Sequence, residues 1–412
     1  MPNWCPKFTP FFVPNLYFLY FFSNLSSFSK IPTLYISISQ LGIIMLLLCV
    51  WMFQFVFPLN NIKRGSIGHG CVFFLLWFLF FFFLQKNLMG FYIMFEFCLI
   101  PVFFLIFSLG YQPEKLNACS YLALYTIIGS LPLLYMLCMV EKSMYMYMYS
   151  FFSKGIFCFF ILLVMMVKTP MYMLHIWLPK AHVEAPVAGS MVLAGILLKM
   201  GTYGLFIFFP TMYFSGITMF FYIILICGGA FSTLLCLRQI DMKNLVAYSS
   251  VVHMAMASCG LMSGMKLGFS GCLMLCISHG LCSPMLFGLV SVLYSNSHTR
   301  LLNFNKGFSS NGFLIFIIFS LIAVNMSVPP SLNFFSELFC ISSIFSVFFF
   351  SFFFLGIVCF GSVVYNLYLY ISITHGKEMM FFCGNYLKFM MILFMGSFWC
   401  WMFFISMFSM TI

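Results

Sequence analysis

The chain has 412 residues, of which 64% are hydrophobic, 21% aromatic and only 6% charged, whereas soluble domains carry roughly 25% charged residues. With a mean hydropathy of +1.11 and a need of about 20 apolar residues per span, it reads as an all-α polytopic membrane protein of about 12–13 transmembrane helices, with no room for a soluble domain. The net charge of +11 is spread over short loops, where basic residues orient helices, so no nucleic-acid surface is expected.

Apolar runs bounded by charge, Gly or Pro predict spans at 34–57, 71–84, 88–109, 119–140, 150–178, 187–210, 213–237, 243–262, 268–294, 312–340, 344–373 and 386–408. The run 11–29, interrupted by Pro14 and several serines, is a weaker thirteenth. Counting loop charges alternately along this map gives one face Lys63, Arg64, Lys115, Lys180, Arg238, Lys243, Arg300, Lys306, Lys377 and Lys388. The other face receives Lys86, Lys142, Lys154 and Lys266. The richer face is then the side of synthesis.

Several chemistries find no support. Seventeen cysteines lie scattered in apolar segments without a CxxC pair, and buried cysteine behaves as a small hydrophobe. No disulfide framework, zinc site or iron–sulfur cluster is expected in this chain. Neither GxGxxG after a strand nor GxxxxGK[ST] occurs, so nucleotide chemistry is not expected either. Residues 1–30 lack a cleavable-signal pattern, and the first arginine is Arg64, which argues against an Arg-rich transit peptide.

Two spans carry helix breakers at depth: Pro170 in 150–178, and Pro329-Pro330 in 312–340. Proline removes an amide donor and clashes with the preceding turn, and in lipid the freed groups must find other partners. Broken helices in corresponding places point to inverted repeats. Division into 71–210 and 213–373 gives two five-helix units with the broken helix fourth in each. Residues 1–70 form an N-terminal region and 386–412 a C-terminal helix. Two unrelated proline kinks are the plainer alternative.

The ionisable residues at depth are few enough to name. Glu96 in 88–109 requires a proton or a cation, and Lys168, just before Thr169-Pro170, is the proposed partner. A shift of one relative to the other would change the proton affinity of both, while a static ion pair is the structural alternative. Lys199 lies about thirteen residues, or ~20 Å, into its span, too deep to reach an interface easily. His253 and His279 lie mid-span beside serines; histidine titrates near neutral pH and relays protons, although a hydrogen-bonded structural role is common. Glu337 follows the second break, where a cap is the alternative reading. An ammonium at depth costs from about 2.5 to more than ~10 kcal/mol, so a chain that keeps two of them is expected to use them.

The run 168–204, KTPMYMLHIWLPKAHVEAPVAGSMVLAGILLKMGTYG, resembles the signature of the antiporter-like proton-channel subunits of respiratory complex I. The runs 237–254, LRQIDMKNLVAYSSVVHM, 111–133, YQPEKLNACSYLALYTIIGSLPL, and 278–287, SHGLCSPMLF, extend the likeness over roughly 90–375. The resemblance implies two inverted five-helix bundles with discontinuous helices at 150–178 and 312–340. It implies a proton relay in which Glu96 pairs with Lys168, Lys199 is central, His253 and His279 follow, and Glu337 ends the line. Lys180, His182 and Glu184 are expected to shape a linking loop. No cofactor is implied in this chain; NADH, FMN, iron–sulfur clusters and ubiquinone belong to partner subunits of an NADH:ubiquinone reductase. The implied partners are other membrane-arm subunits, neighbouring antiporter-like subunits included, in the lipid bilayer of the mitochondrial inner membrane. A multisubunit sodium/proton antiporter, a purely structural arm subunit and a receptor-like bundle remain as alternatives.

Overall fold

A computed structural model describes residues 34–59, 67–85, 87–110, 112–139, 155–209, 216–307 and 312–376, together with 393, 396–398 and 400–401. The expected span 11–29 and most of the expected helix 386–408 lie outside the described residues.

The described elements are α1 (Leu34–Leu59), α2 (Ile67–Leu84), α3 (Leu88–Phe97), α4 (Leu99–Leu109) and α5 (Lys115–Met139). They continue with α6 (Gly155–Lys168), α7 (Trp177–Glu184), α8 (Val187–Val192), a π-turn at Leu193–Leu197 and α9 (Leu198–Phe208). The remainder are α10 (Gly216–Leu237), α11 (Met242–Met262), α12 (Lys266–Ser297), α13 (Gly312–Asn325), α14 (Leu332–Val347) and α15 (Phe352–Thr374). Further regular structure among the described residues comprises short 3₁₀ turns, a bridge between Asp241 and Leu301, and helical residues at 393, 396–398 and 400–401.

Seven of these helices or helix pairs are long and apolar enough to cross a bilayer. They sort into two layers. The stretch Val187–Phe208 is wholly buried inside the protein, and α11 and α12 nearly so, whereas Leu88–Leu109, α5 and the stretch Phe349–Thr374 bury only 33–39%. Outer helices turn Phe104, Ile128, Phe350 and Phe360 outward, as lipid permits. The inner helices carry Lys199, His253 and His279. α12 forms the axis, packed on α8, α11, α13 and α14, while α10 closes against α11 and α15. In lipid such packing depends on small residues that let backbones approach. A Cβ at Gly268 would collide with the Gly260 carbonyl, so α11 and α12 can meet only over glycine there.

Both expected breaks are present. At the first, Pro170 has no amide hydrogen to give Met166; the Met166 carbonyl accepts instead from Met171 N at 3.1 Å, and Trp177 Nε1 donates to the Val167 carbonyl at 3.1 Å. Every freed carbonyl named here has found a donor, as a buried backbone demands. At the second, Ser327 adopts a left-handed φ of 58°. Val328 N donates to Ala323 O and Ser327 N to Val324 O, both at 3.1 Å, the bond pair of a Schellman cap. Segment 180–184 is a correction: it belongs to α7, a helix, because the Pro170 break ends α6 and a new helix starts at Trp177 before Pro186.

Candidate functional site

Lys168 is the last residue of α6 and almost fully buried. Its Nζ donates to the carbonyl of Phe95 at 2.8 Å and lies 3.2 Å from the centroid of the Phe95 ring. The expected pairing with Glu96 takes a different form. No ion pair within 4 Å joins them among the described residues, and Glu96 Oε1 is buried without a hydrogen-bond partner. Two causes are visible. Successive helical residues point about 100° apart, so Phe95 and Glu96 cannot both face one ammonium. The helix also steps at Cys98, between α3 and α4, and Pro101 has no amide hydrogen to bond back into this turn. Lys168 therefore sits beside Glu96 but is held by its neighbour.

Lys199 is fully buried. Its Nζ donates to the carbonyl of Ala194 at 2.5 Å and lies 2.8 Å from His279 Nδ1. Ala194 belongs to the π-turn that interrupts Val187–Phe208; such bulges leave carbonyls outside the regular α ladder and recur at functional sites. At 2.8 Å one proton lies between the lysine and imidazole nitrogens, carried by one or the other. The rings of His279 and His253 have centroids 5.7 Å apart. His253 Nδ1 is 3.1 Å from Glu337 Oε1, while His253 Nε2 is buried without a hydrogen-bond partner. Four of the six expected residues thus form one line, Lys199–His279–His253–Glu337, buried up to the partly exposed Glu337 and open between its two imidazoles.

Lys168 is not tied to that line by a hydrogen bond or ion pair among the described residues. The two regions meet through backbone, where a Cβ at Gly201 would stand 2.6 Å from Thr169 Cγ2 and 3.0 Å from Thr169 N. Only glycine allows α9 so near the break behind Lys168.

Near α7, Lys180 Nζ caps the Tyr121 ring at 3.7 Å from its centroid, and Glu184 Oε1 pairs with Arg300 Nη1 at 3.4 Å. His182 is fully buried and stacked on Phe287 at 4.6 Å, with neither ring nitrogen hydrogen-bonded. These contacts tie α7 to Tyr121, Phe287 and Arg300. Residues that sequence reasoning missed include Arg300 as the partner of Glu184, Ala194 as the acceptor for Lys199, and Asn333. Asn333 had a signal, being a polar residue four positions before Glu337 and three after Pro330. The π-turn had none beyond Gly195. No group of three His, Cys, Asp or Glu side chains among the described residues is arranged to hold a metal ion.

Residues 85–364 match the family described as NADH:quinone oxidoreductase/Mrp antiporter, TM. The chain is 40% identical over 368 residues to the NADH-ubiquinone oxidoreductase chain 4 of Ceratitis capitata, covering 87% of this chain and 82% of that relative. It is 43% identical over 298 residues to the same-named protein of Mytilus edulis, covering 69% and 68%. Its fold resembles a chain of respiratory complex I from Thermus thermophilus with bound NADH, at a TM-score of 0.75 and 22% identity, over 91% of this chain and 84% of that one.

Proposed function

Because the chain belongs to the NADH:quinone oxidoreductase/Mrp antiporter transmembrane family, we propose that it is a proton-translocating membrane subunit of the mitochondrial NADH:ubiquinone oxidoreductase. It moves protons from matrix to intermembrane space, and the redox chemistry of NADH, FMN, iron–sulfur clusters and ubiquinone is carried by partner subunits. One observation carries this reading above the others. Lys199 lies 2.8 Å from one buried imidazole and the partly buried Glu337 carboxylate 3.1 Å from a second, and the two rings are 5.7 Å apart between centroids. Each can hold a proton, and within each pair the groups are close enough to pass it on, while the gap between the two imidazoles needs a bridge. A structural bundle has no need for such a series at depth, since unpaired polar groups there are costly.

The relay runs from Glu96 and Lys168 through Lys199, His279 and His253 to Glu337. Movement at the first break alters the contact between Lys168 and the Phe95–Glu96 turn, and with it the charge felt by Lys199. Movement at the second break does the same for Glu337 and His253. We read the two broken helices as counterparts in an inverted repeat of 71–210 and 213–373. Transfer of one charge against 100 mV requires about 2.3 kcal/mol, which neighbouring membrane-arm subunits must deliver. Relatives at 36–43% identity bearing the chain 4 name favour this redox-coupled role over sodium/proton exchange.

The test uses the assembled enzyme in sealed vesicles, with Lys168→Met and Glu96→Gln made separately. Both are expected to lower the protons moved per electron while assembly and NADH oxidation under uncoupled conditions persist. Wild-type pumping in both variants would support a structural subunit instead.

A further inference from the structure

Asn333 stands at the start of α14, one turn before Glu337, and is nearly fully buried. Its carboxamide is used on both sides. Oδ1 accepts a hydrogen bond from Ser278 Oγ at 3.0 Å, and Nδ2 donates to Ser327 Oγ at 3.1 Å and to Glu337 Oε1 at 3.3 Å. One amide therefore joins three places. Ser278 adjoins His279 on α12, Ser327 is the left-handed residue that closes α13, and Glu337 is the last acid of the relay. The oxygen that accepts from Asn333 is also the one facing His253 Nδ1 at 3.1 Å.

We propose that Asn333 is the positioning residue of the terminal relay step, presenting a fixed donor that aims Glu337 Oε1 at His253 and keeps α14 in register with His279. The inference rests on the relay reading of Glu337. His253 and Glu337 gain and lose protons during transfer, so their mutual hydrogen bond changes with each cycle. A carboxamide has no ionisable proton, and its donor persists through every protonation state. Without it, Glu337 on a helix that begins at a break has only a changeable partner to hold its rotamer. A hydrogen bond to a charged group is stronger than a neutral one, so this contact holds the rotamer whenever Glu337 is ionised.

The discriminating variant is Asn333→Asp. It is nearly isosteric, and both serine hydroxyls can rotate to donate to a carboxylate, so the links to Ser278 and Ser327 survive. The Nδ2 donor becomes an acceptor: Ser327 Oγ can reverse its bond and donate, whereas an ionised Glu337 has no proton to give and loses this partner. In the assembled complex in vesicles, Asn333→Asp is expected to assemble normally and to slow coupled proton transfer about ten-fold, equivalent to about 1.4 kcal/mol on the barrier. The infrared carbonyl band of Glu337, identified by its loss in Glu337→Gln, should shift in the same variant. Asn333→Ser removes the carboxamide without adding charge and should show the same slowing, so a failure of the aspartate variant to assemble leaves the question answerable. Wild-type proton transfer in either assembled variant, or slowing with an unmoved Glu337 band, would overturn the proposal. Wild-type transfer in Glu337→Gln would instead overturn the relay reading beneath it.

Discussion

At Lys168 the ammonium is held by a carbonyl and a ring face where a carboxylate was expected, and the difference sets how this residue works. A carbonyl and an aromatic face stabilise a cation without competing for its proton. In the proposed relay Glu96, one residue further on and with Oε1 unpartnered, is the group that approaches when the turn at Cys98 shifts. A contact between a cation and an aromatic face is worth about 0.5–2 kcal/mol, so Phe95→Leu should weaken the hold on Lys168 by that order while keeping the backbone acceptor. The expected outcome is a several-fold change in pumping rate with assembly retained. Phe91→Leu, which alters the neighbouring stacked ring without touching Lys168, serves as the packing control and should leave the rate near wild type. Equal effects of the two changes in vesicle pumping assays would show that only packing is at stake.

The elements that matter most are those interrupted. α6 ends at Lys168 before Pro170, α13 ends at Asn325 before Ser327, and Val187–Phe208 is loosened by a π-turn, each near one of the charged residues of the proposed relay. These interruptions free carbonyls and place side chains where a continuous helix would have buried backbone. Close approach of the elements is equally specific. Gly201→Ala would press a methyl group onto Thr169 and force α9 away from the first break, an overpacking cost of about 1–3 kcal/mol. Thermal inactivation of the solubilised complex should therefore occur at lower temperature in Gly201→Ala, and pumping should fall further than heat stability alone explains, because Lys168 and Lys199 are pushed apart. Unchanged heat stability and pumping would mean that the contact at Thr169 yields without cost.

Across the whole molecule, the polar cleft bears on sidedness. Gln112, Glu114, Asn117, Lys180, Glu184, Asp241, Asn244, Tyr294, His298 and Arg300 line one cavity of about 760 Å³, so three loop regions placed on one face by charge counting do meet there. Of the charges counted, Lys63, Arg64, Lys86, Lys142, Lys154, Lys377 and Lys388 lie outside the described residues. Span positions were legible because hydropathy reports burial in lipid directly, and the breaks were legible because Pro170 and Pro329-Pro330 remove donors wherever they stand. The candidate residues were legible as charges at depth, but their partners were not. Pairing depends on helix rotation, which put Phe95 rather than Glu96 toward Lys168, and on the π-turn at Leu193–Leu197, which contains no proline to announce it. The central claim is that protons pass along the Lys199–His279–His253–Glu337 line, and the proton-to-electron ratio of the vesicle-reconstituted complex carrying Lys199→Met tests it most directly. The ratio should fall while electron transfer under uncoupled conditions continues; an unchanged ratio in a fully assembled Lys199→Met complex would contradict the account.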